Sequence, residues 1–193
     1  MLYIQEAPRV HFRFDFVKAL HAAAELLRRE PQKQMSMLRL LKLLYIADRE
    51  AMKETGRPIT CDRIVAMKHG PVLSRLYDII KGEASESPEF EAHIERQGHQ
   101  LHLVKDPGHA ELNRFEIRKL RELSDRYREH GDWDLVEETH TFPEWIKHDP
   151  GDSSEPIPLE DVLAAVGHSP ERIEAIIRDA EQVGVIRRLF HDS

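Results

Sequence analysis

The sequence predicts an α+β fold that is mainly α: a helical core with a small antiparallel sheet or hairpin. Three observations predict it. Apolar residues recur at helical spacing through the segments 15–29, 36–53, 72–82 and 113–127. Period-two alternation is confined to short runs, chiefly 90–95 and 101–104 on either side of Gln97, Gly98 and His99, which suit a turn. A chain of 193 residues, 40% hydrophobic and 33% charged, can bury one sizeable core or a core with a small appendage.

Taken in order, the alternating Val10, Phe12 and Phe14 suit a short strand or docked arm within residues 9–14. Asp15 can cap a helix to about Arg29, with Phe16, Leu20, Ala23, Ala24 and Leu27 inward and Pro31 beyond its end. Ser36 can cap a second helix. On it Arg39, Lys42, Arg49, Glu50 and Lys53 share one sector, and Met37, Leu40, Leu41, Leu44, Ala47 and Ala51 the opposite one. Residues 59–67 suit a short strand. Gly70 then turns the chain, and Pro71 suits the first position of a helix that Gly82 ends. Residues 83–89 read as a loop before the hairpin. Asn113 and Glu116 have capping-box spacing, opening a helix that buries Phe115, Leu120, Leu123 and Tyr127 and ends at Gly131. Asp132 caps a short helix through Leu135 and Val136, and His140, Phe142, Pro143 and Trp145 pack by their aromatics.

The expected division is a domain over 1–146, a linker or loop over 147–158 rich in Pro, Asp, Ser and Gly, and a C-terminal helical extension over 159–193. That extension holds a short helix from Leu159 to Val166 and a last helix ending near Gly184. Both are too short to make a core alone, so they should pack on the main domain.

Residues 36–82 hold the most informative chemistry. Asp48 falls within the apolar sector of its helix, and an unpaired buried carboxylate is costly. It should therefore meet a basic side chain or backbone donors near residues 68–72. Lys68 and His69 stand just ahead of the expected helix start at Pro71, where backbone donors attract anions. Each has a plainer alternative: an Asp paired only to fix packing, and a Lys solvated at a corner. Tyr45, Tyr77, Trp133 and Trp145 are the aromatics suited to partner binding, with core packing as the plainer role of each.

The run KLLYIADRE at 42–50, followed by GRPITCDRIVAMKHGPVLSRLYDIIKG at 56–82, resembles the Panacea domain, the SocA-like antitoxin domain of bacterial toxin–antitoxin systems and phages. The strong part covers about 38–82, and weaker similarity continues through Leu135, Val136, Thr139 and His140 to Trp145. The combination of Ala-Asp-Arg on a Leu-rich helix, Arg-Pro-Ile-Thr and Met-Lys-His-Gly-Pro-Val is far more specific than any one piece. The resemblance implies an intracellular protein that binds and neutralises a cognate protein toxin by covering its active surface. Its alternative in the same class is an adaptor that delivers the toxin to a Clp-type protease. The candidate partner-binding residues are Asp48, Arg49, Arg57, Pro58, Lys68, His69, Gly70, Pro71 and Tyr77.

Other classes find less support. A formal charge of −7, without a segregated basic block, argues against general nucleic-acid binding and disfavours a transcriptional regulator. No apolar run is long enough to span a membrane, and the N-terminal residues lack the basic start and apolar stretch of a secretory signal, so a cytoplasmic location is expected. The single cysteine, Cys61, precludes an internal disulfide and a thiolate zinc cluster. The 12 histidines show no metal-ligand spacing; on a strand, His99 and His102 point to opposite faces. An enzyme would have to use Asp48 and His69, with Cys61 as an imaginable nucleophile, but there is no nucleophile elbow, P-loop or dinucleotide fingerprint. No catalytic residue, cofactor or metal is assigned.

Overall fold

The structure is a computed structural model describing the backbone of residues 12–191 and the side chains of residues 12–182. Most of the strand or arm expected over 9–14 lies outside the described residues. Phe12 and Phe14 pack against the core without regular structure.

Helix α1 (Phe16–Arg28) starts where Asp15 accepts the Lys18 N–H at 3.1 Å. A 3-10 turn and the three-residue strand β1 (Gln34–Ser36) lead into α2 (Met37–Thr55). Ser36 caps α2 by accepting the Arg39 N–H at 3.0 Å. At its far end Gly56 adopts φ +77, and a Cβ there would lie 2.7 Å from Ile176 Cδ1.

Helix α2 is the axis of the molecule. Every side chain from Arg39 to Asp48 is buried, so these turns have no solvent face. This corrects the polar sector expected for Arg39 and Lys42, which later helices and a strand cover. The Arg39 guanidinium donates to the carbonyls of Tyr127 and His130 at 2.7 Å each. The Tyr127 carbonyl caps the end of the next long helix, where acceptors are left over and the dipole is negative, and His130 lies in the turn beyond it.

Strands β2 (Ile64–Met67) and β3 (Gly70–Leu73) form an antiparallel hairpin, pairing Met67 with Gly70 and Ile64 with Leu73. Pro71 is thus a strand residue and not the start of a helix. Its missing N–H is tolerated because β3 lies at the sheet edge. Gly70 takes φ +92, which lets the Lys68-His69 turn rejoin the ladder. Helix α3 (Ser74–Lys81) begins later, and a residue outside it caps it: the Asp62 carboxylate accepts from Arg75 N at 3.0 Å and Leu76 N at 2.8 Å.

The stretch expected as a loop ahead of the hairpin contains α4 (Ser87–Glu91), which takes Phe90 out of the hairpin. The hairpin itself is β4 (Ile94–Gln97) and β5 (Gln100–Leu103). Strand β1 joins β5, giving the sheet order β1-β5-β4.

Helix α5 (Arg114–Arg126) has the expected capping box between Asn113 and Glu116, but it ends before Gly131. Asp132 is the first residue of α6 (Asp132–His140), not its cap, and Pro143 opens the short α7 (Pro143–Lys147). Within the stretch expected as linker or loop, β6 (Ser154–Ile157) pairs with β2, completing a second sheet ordered β3-β2-β6. Helices α8 (Leu159–Ala165) and α9 (Pro170–His191) follow, α9 continuing past Gly184. Leu159, Val162, Leu163 and Ile176 join the one core, and the His168 ring meets the Met52 carbonyl of α2 at 2.8 Å.

Candidate functional site

The motif residues separate into an interior brace and a surface cavity. In the brace, Asp48 is 1% exposed, and its Oδ1 accepts the backbone N–H groups of Ile59 at 2.8 Å and Thr60 at 2.9 Å. Its other oxygen meets the Thr60 hydroxyl. The expectation of a partner was right, but the donors lie at 59–60 rather than 68–72, and none is a basic side chain. These bonds hold the loop after α2 in place, which is why the strand expected from Ile59 begins only at Ile64. Burial pushes the Asp48 carboxyl up to about 7, against the pull of its three donors. Asp62 is likewise raised by burial, to about 6.

Arg49, next in sequence, clamps α7 to α2. Its Nε donates to Glu144 Oε1 at 2.6 Å, and the buried Tyr45 hydroxyl donates to the same oxygen at 2.6 Å. The guanidinium also lies 4.1 Å from the centre of the Phe142 ring. Pro58 is buried, and its carbonyl accepts from the Cys61 thiol at 3.6 Å. Cys61 adopts φ +57, and burial pushes its thiol up to about 12. Cys61 and Asp48 thus face this loop, while His69 lies against Trp133 in the hairpin turn, with ring centres 5.3 Å apart. The imagined nucleophile, base and orienter are not brought together. Among the described residues no group of three His, Cys, Asp or Glu side chains converges as metal ligands would.

The cavity, of about 510 Å³, opens between the start of α2, the β2–β3 hairpin, α3 and the start of α6. Met37, Leu38 and Leu41 form one wall, and Met67, Val72 and Tyr77 another. Trp133, 60% exposed, stands at the mouth. Two bonds fix the rim: Ser36 Oγ donates to Asp132 Oδ2 at 2.5 Å, and Met37 N donates to the His99 carbonyl at 2.8 Å.

Lys42 is one of the lining residues, 1% exposed, and its ammonium donates to the Pro71 carbonyl at 2.8 Å. Among the described residues no carboxylate lies within 4.0 Å of it. Burial pushes its ammonium down to about 7. Gly70 packs against it: a Cβ there would lie 2.6 Å from Thr139 Oγ1 and 2.8 Å from Lys42 Nζ. Next to it, the His140 ring stacks on Trp145 at 4.0 Å. Burial lowers the His140 pKa, with the charges of Lys42 and His69 adding to the effect.

A family model described as Antitoxin SocA-like, Panacea domain, matches residues 40–146, just over half of the chain. The chain belongs to the Panacea family. No curated protein and no solved structure matches it. The Panacea region takes in Lys42, the hairpin, Trp133 and Glu144, whereas Ser36 and Met37 of the cavity precede it and β6 follows it. The family is of antitoxin type, and no described helix is long and apolar enough to cross a membrane.

Of the motif residues, Lys68, His69 and Tyr77 line the cavity, whereas Gly70 and Pro71 lie outside its lining and approach Lys42 through their backbone atoms. Lys68 pairs with Asp152 at 2.7 Å in the open and does not face a helix N-terminus, so the expected anion-attracting corner is absent there. Arg57 is exposed on another surface, its guanidinium 5.3 Å from the Phe12 ring centre. Sequence reasoning missed Lys42, because helical periodicity places it on a polar sector. Its one usable signal is a position one turn from Leu38 and Ile46 on a helix rich in leucine.

Proposed function

We propose that the chain neutralises a cognate protein toxin by binding it directly, with the face around Trp133 and the β2–β3 hairpin as the contact surface. One observation carries this choice of surface: a large aromatic side chain is exposed at the mouth of an apolar cavity that Lys68, His69 and Tyr77 of the motif help to line. Buried hydrophobic centres with aromatic anchors dominate the energetics of protein interfaces. Asp48, Arg49 and Pro58 support that surface from within.

The test is co-expression of the full chain with the gene adjacent to its own, scoring growth rescue and co-purification. Rescue with a stable complex supports neutralisation by binding. Rescue lost in a host without Clp-type proteases would assign the role of protease adaptor instead. Trp133→Ala should lose rescue while melting within about 2 °C of the wild type, because an exposed side chain contributes little to stability. Undiminished rescue by that variant would remove this face as the contact.

A further inference from the structure

We infer that Lys42 and His140 form a proton-operated latch beneath the β2–β3 hairpin, holding it against α2 and α6 while both side chains are neutral and releasing it when both carry a proton. The two side chains converge on one point. The place that a Cβ on Gly70 would occupy lies 2.8 Å from Lys42 Nζ and 3.3 Å from His140 Cδ2. Lys42 is 1% exposed and gives one hydrogen bond, to the Pro71 carbonyl. The Nε2 atom of His140 is buried and has no hydrogen-bond partner among the described residues. The Thr139 hydroxyl beside them is committed to the Val136 carbonyl at 3.0 Å. Among the described residues no carboxylate lies within 4.0 Å of either base, and a charge buried in that way is costly.

The surrounding elements do not supply the missing counter-charge. Asp132 of α6 meets Ser36, Glu144 of α7 is held by Arg49 and Tyr45, and Lys68 of the hairpin turn pairs with Asp152. His69 in the same turn adds to the positive charge felt by His140, while Asp149 and the Lys68 backbone pull the other way more weakly. Burial lowers the pKa of both bases, and a charge on Lys42 opposes one on His140. The stability they contribute is therefore present at alkaline pH. It is lost as pH falls through about 7 for Lys42 and then through the lowered value of His140. The hairpin is the part that can yield. Lys68 and His69 at its turn are exposed. The contacts that tie it down include the Lys42 bond to Pro71 and a 3.2 Å bond from Trp145 Nε1 to the Met67 carbonyl. The His140 ring is stacked on that same indole. Lifting the hairpin lets water reach both cations. The consequence for binding rests on the proposed function: Met67, Lys68 and His69 line the cavity beside Trp133, so acid would dismantle the proposed contact surface.

Two readouts on the full chain test the latch. The first is amide hydrogen exchange at pH 7.5 and 5.5, corrected for the intrinsic rate. Protection of residues 64–73 should fall about tenfold or more at the lower pH, while that of the β4–β5 hairpin stays the same. Equal protection of residues 64–73 at the two pH values would overturn the inference without any variant having to fold. His140→Gln should abolish the change, and a change that persists in that variant would also overturn it. The second readout is fluorescence in Trp133→Phe, where Trp145 is the one remaining indole. A protonated imidazole quenches an indole stacked on it, so emission should fall between pH 8 and 5 with a midpoint below 6.5. Adding Lys42→Met should raise that midpoint by about one unit, because a neighbouring charge is gone. An unmoved midpoint would show that the two bases are not coupled and would sink the latch. Toxin rescue retained alongside a failed latch leaves the proposed function standing. A latch that works in a protein without rescue removes only its link to the contact surface.

Discussion

Asp48 and Thr60 are joined twice: one carboxylate oxygen accepts the Thr60 N–H at 2.9 Å, and the other meets the Thr60 hydroxyl. The same carboxylate holds the Ile59 N–H, so one side chain on α2 fixes the conformation of the loop leading to the hairpin. Asp48→Ala leaves those buried donors without acceptors and should cost about 3–5 kcal/mol. Asp48→Asn keeps an oxygen for the two N–H groups and offers the threonine a donor, so it should cost less than half as much. Urea unfolding of the two variants checks this, and equal losses would refute the hydrogen-bond account.

The buried groups also set a pH dependence. Asp48 titrates at about 7 in the fold against an ordinary 3.8, so its contribution is complete below 3.8 and is lost as pH rises through 7. Asp62, raised to about 6, acts in the same direction. Lys42 is lowered from 10.5 to about 7, so its contribution is present above 10.5 and is lost as pH falls through 7. Together these three groups favour a stability minimum near neutrality. Relative to wild type, Asp48→Asn should flatten the acid limb and Lys42→Leu the alkaline limb in melting curves taken from pH 4 to 10.

Glu144 is 1% exposed and depends on Arg49 and Tyr45 for partners. Arg49→Met removes the cation and leaves a buried carboxylate, at about 2–4 kcal/mol once the partial exposure of Arg49 is allowed for. The double variant Arg49→Met/Glu144→Gln should recover part of that loss. A double variant as unstable as the two single losses added together would show that the pair is not coupled.

Gly70→Ala combines a positive φ with a Cβ 2.6 Å from Thr139 Oγ1. The hairpin or α6 must shift, and stability should fall by about 2 kcal/mol or more. An unchanged melting temperature would mean that this corner yields at no cost.

Cys61 should be inert. With its thiol pushed up to about 12, alkylation by iodoacetamide at pH 8 should run about a thousandfold slower than that of an ordinary thiol. Unfolding in urea should restore normal reactivity, and a fast reaction in the folded protein would contradict the raised thiol pKa of this half-buried side chain.

Local signals in the sequence carried far. Asp15, Ser36, Asn113 and Glu116 mark helix starts through side-chain acceptors within a few residues, and Gly82 ends a helix in the left-handed conformation. The misplaced features depend on distant neighbours. Pro71 looks like a helix start until β2 is seen pairing with it, and Ser154 to Ile157 have no alternation that would announce a strand. Lys42 is polar by type and buried because β3 and α6 close over it. The demand of Asp48 for a partner was legible from its helix position. The identity of that partner was not, because a loop backbone carries no side-chain signature.

Strand β6 sets an order of events during synthesis. Strand β2 is flanked by β3, a few residues away, and by β6, which the ribosome delivers only after residue 153. A nascent chain that has just completed Lys147 has therefore built the helices and walls of the cavity, but it shows one bare edge of β2. Exposed strand edges invite pairing with other chains. For that short interval the polypeptide is open to strand addition, and the next ten residues to emerge from the ribosome end it.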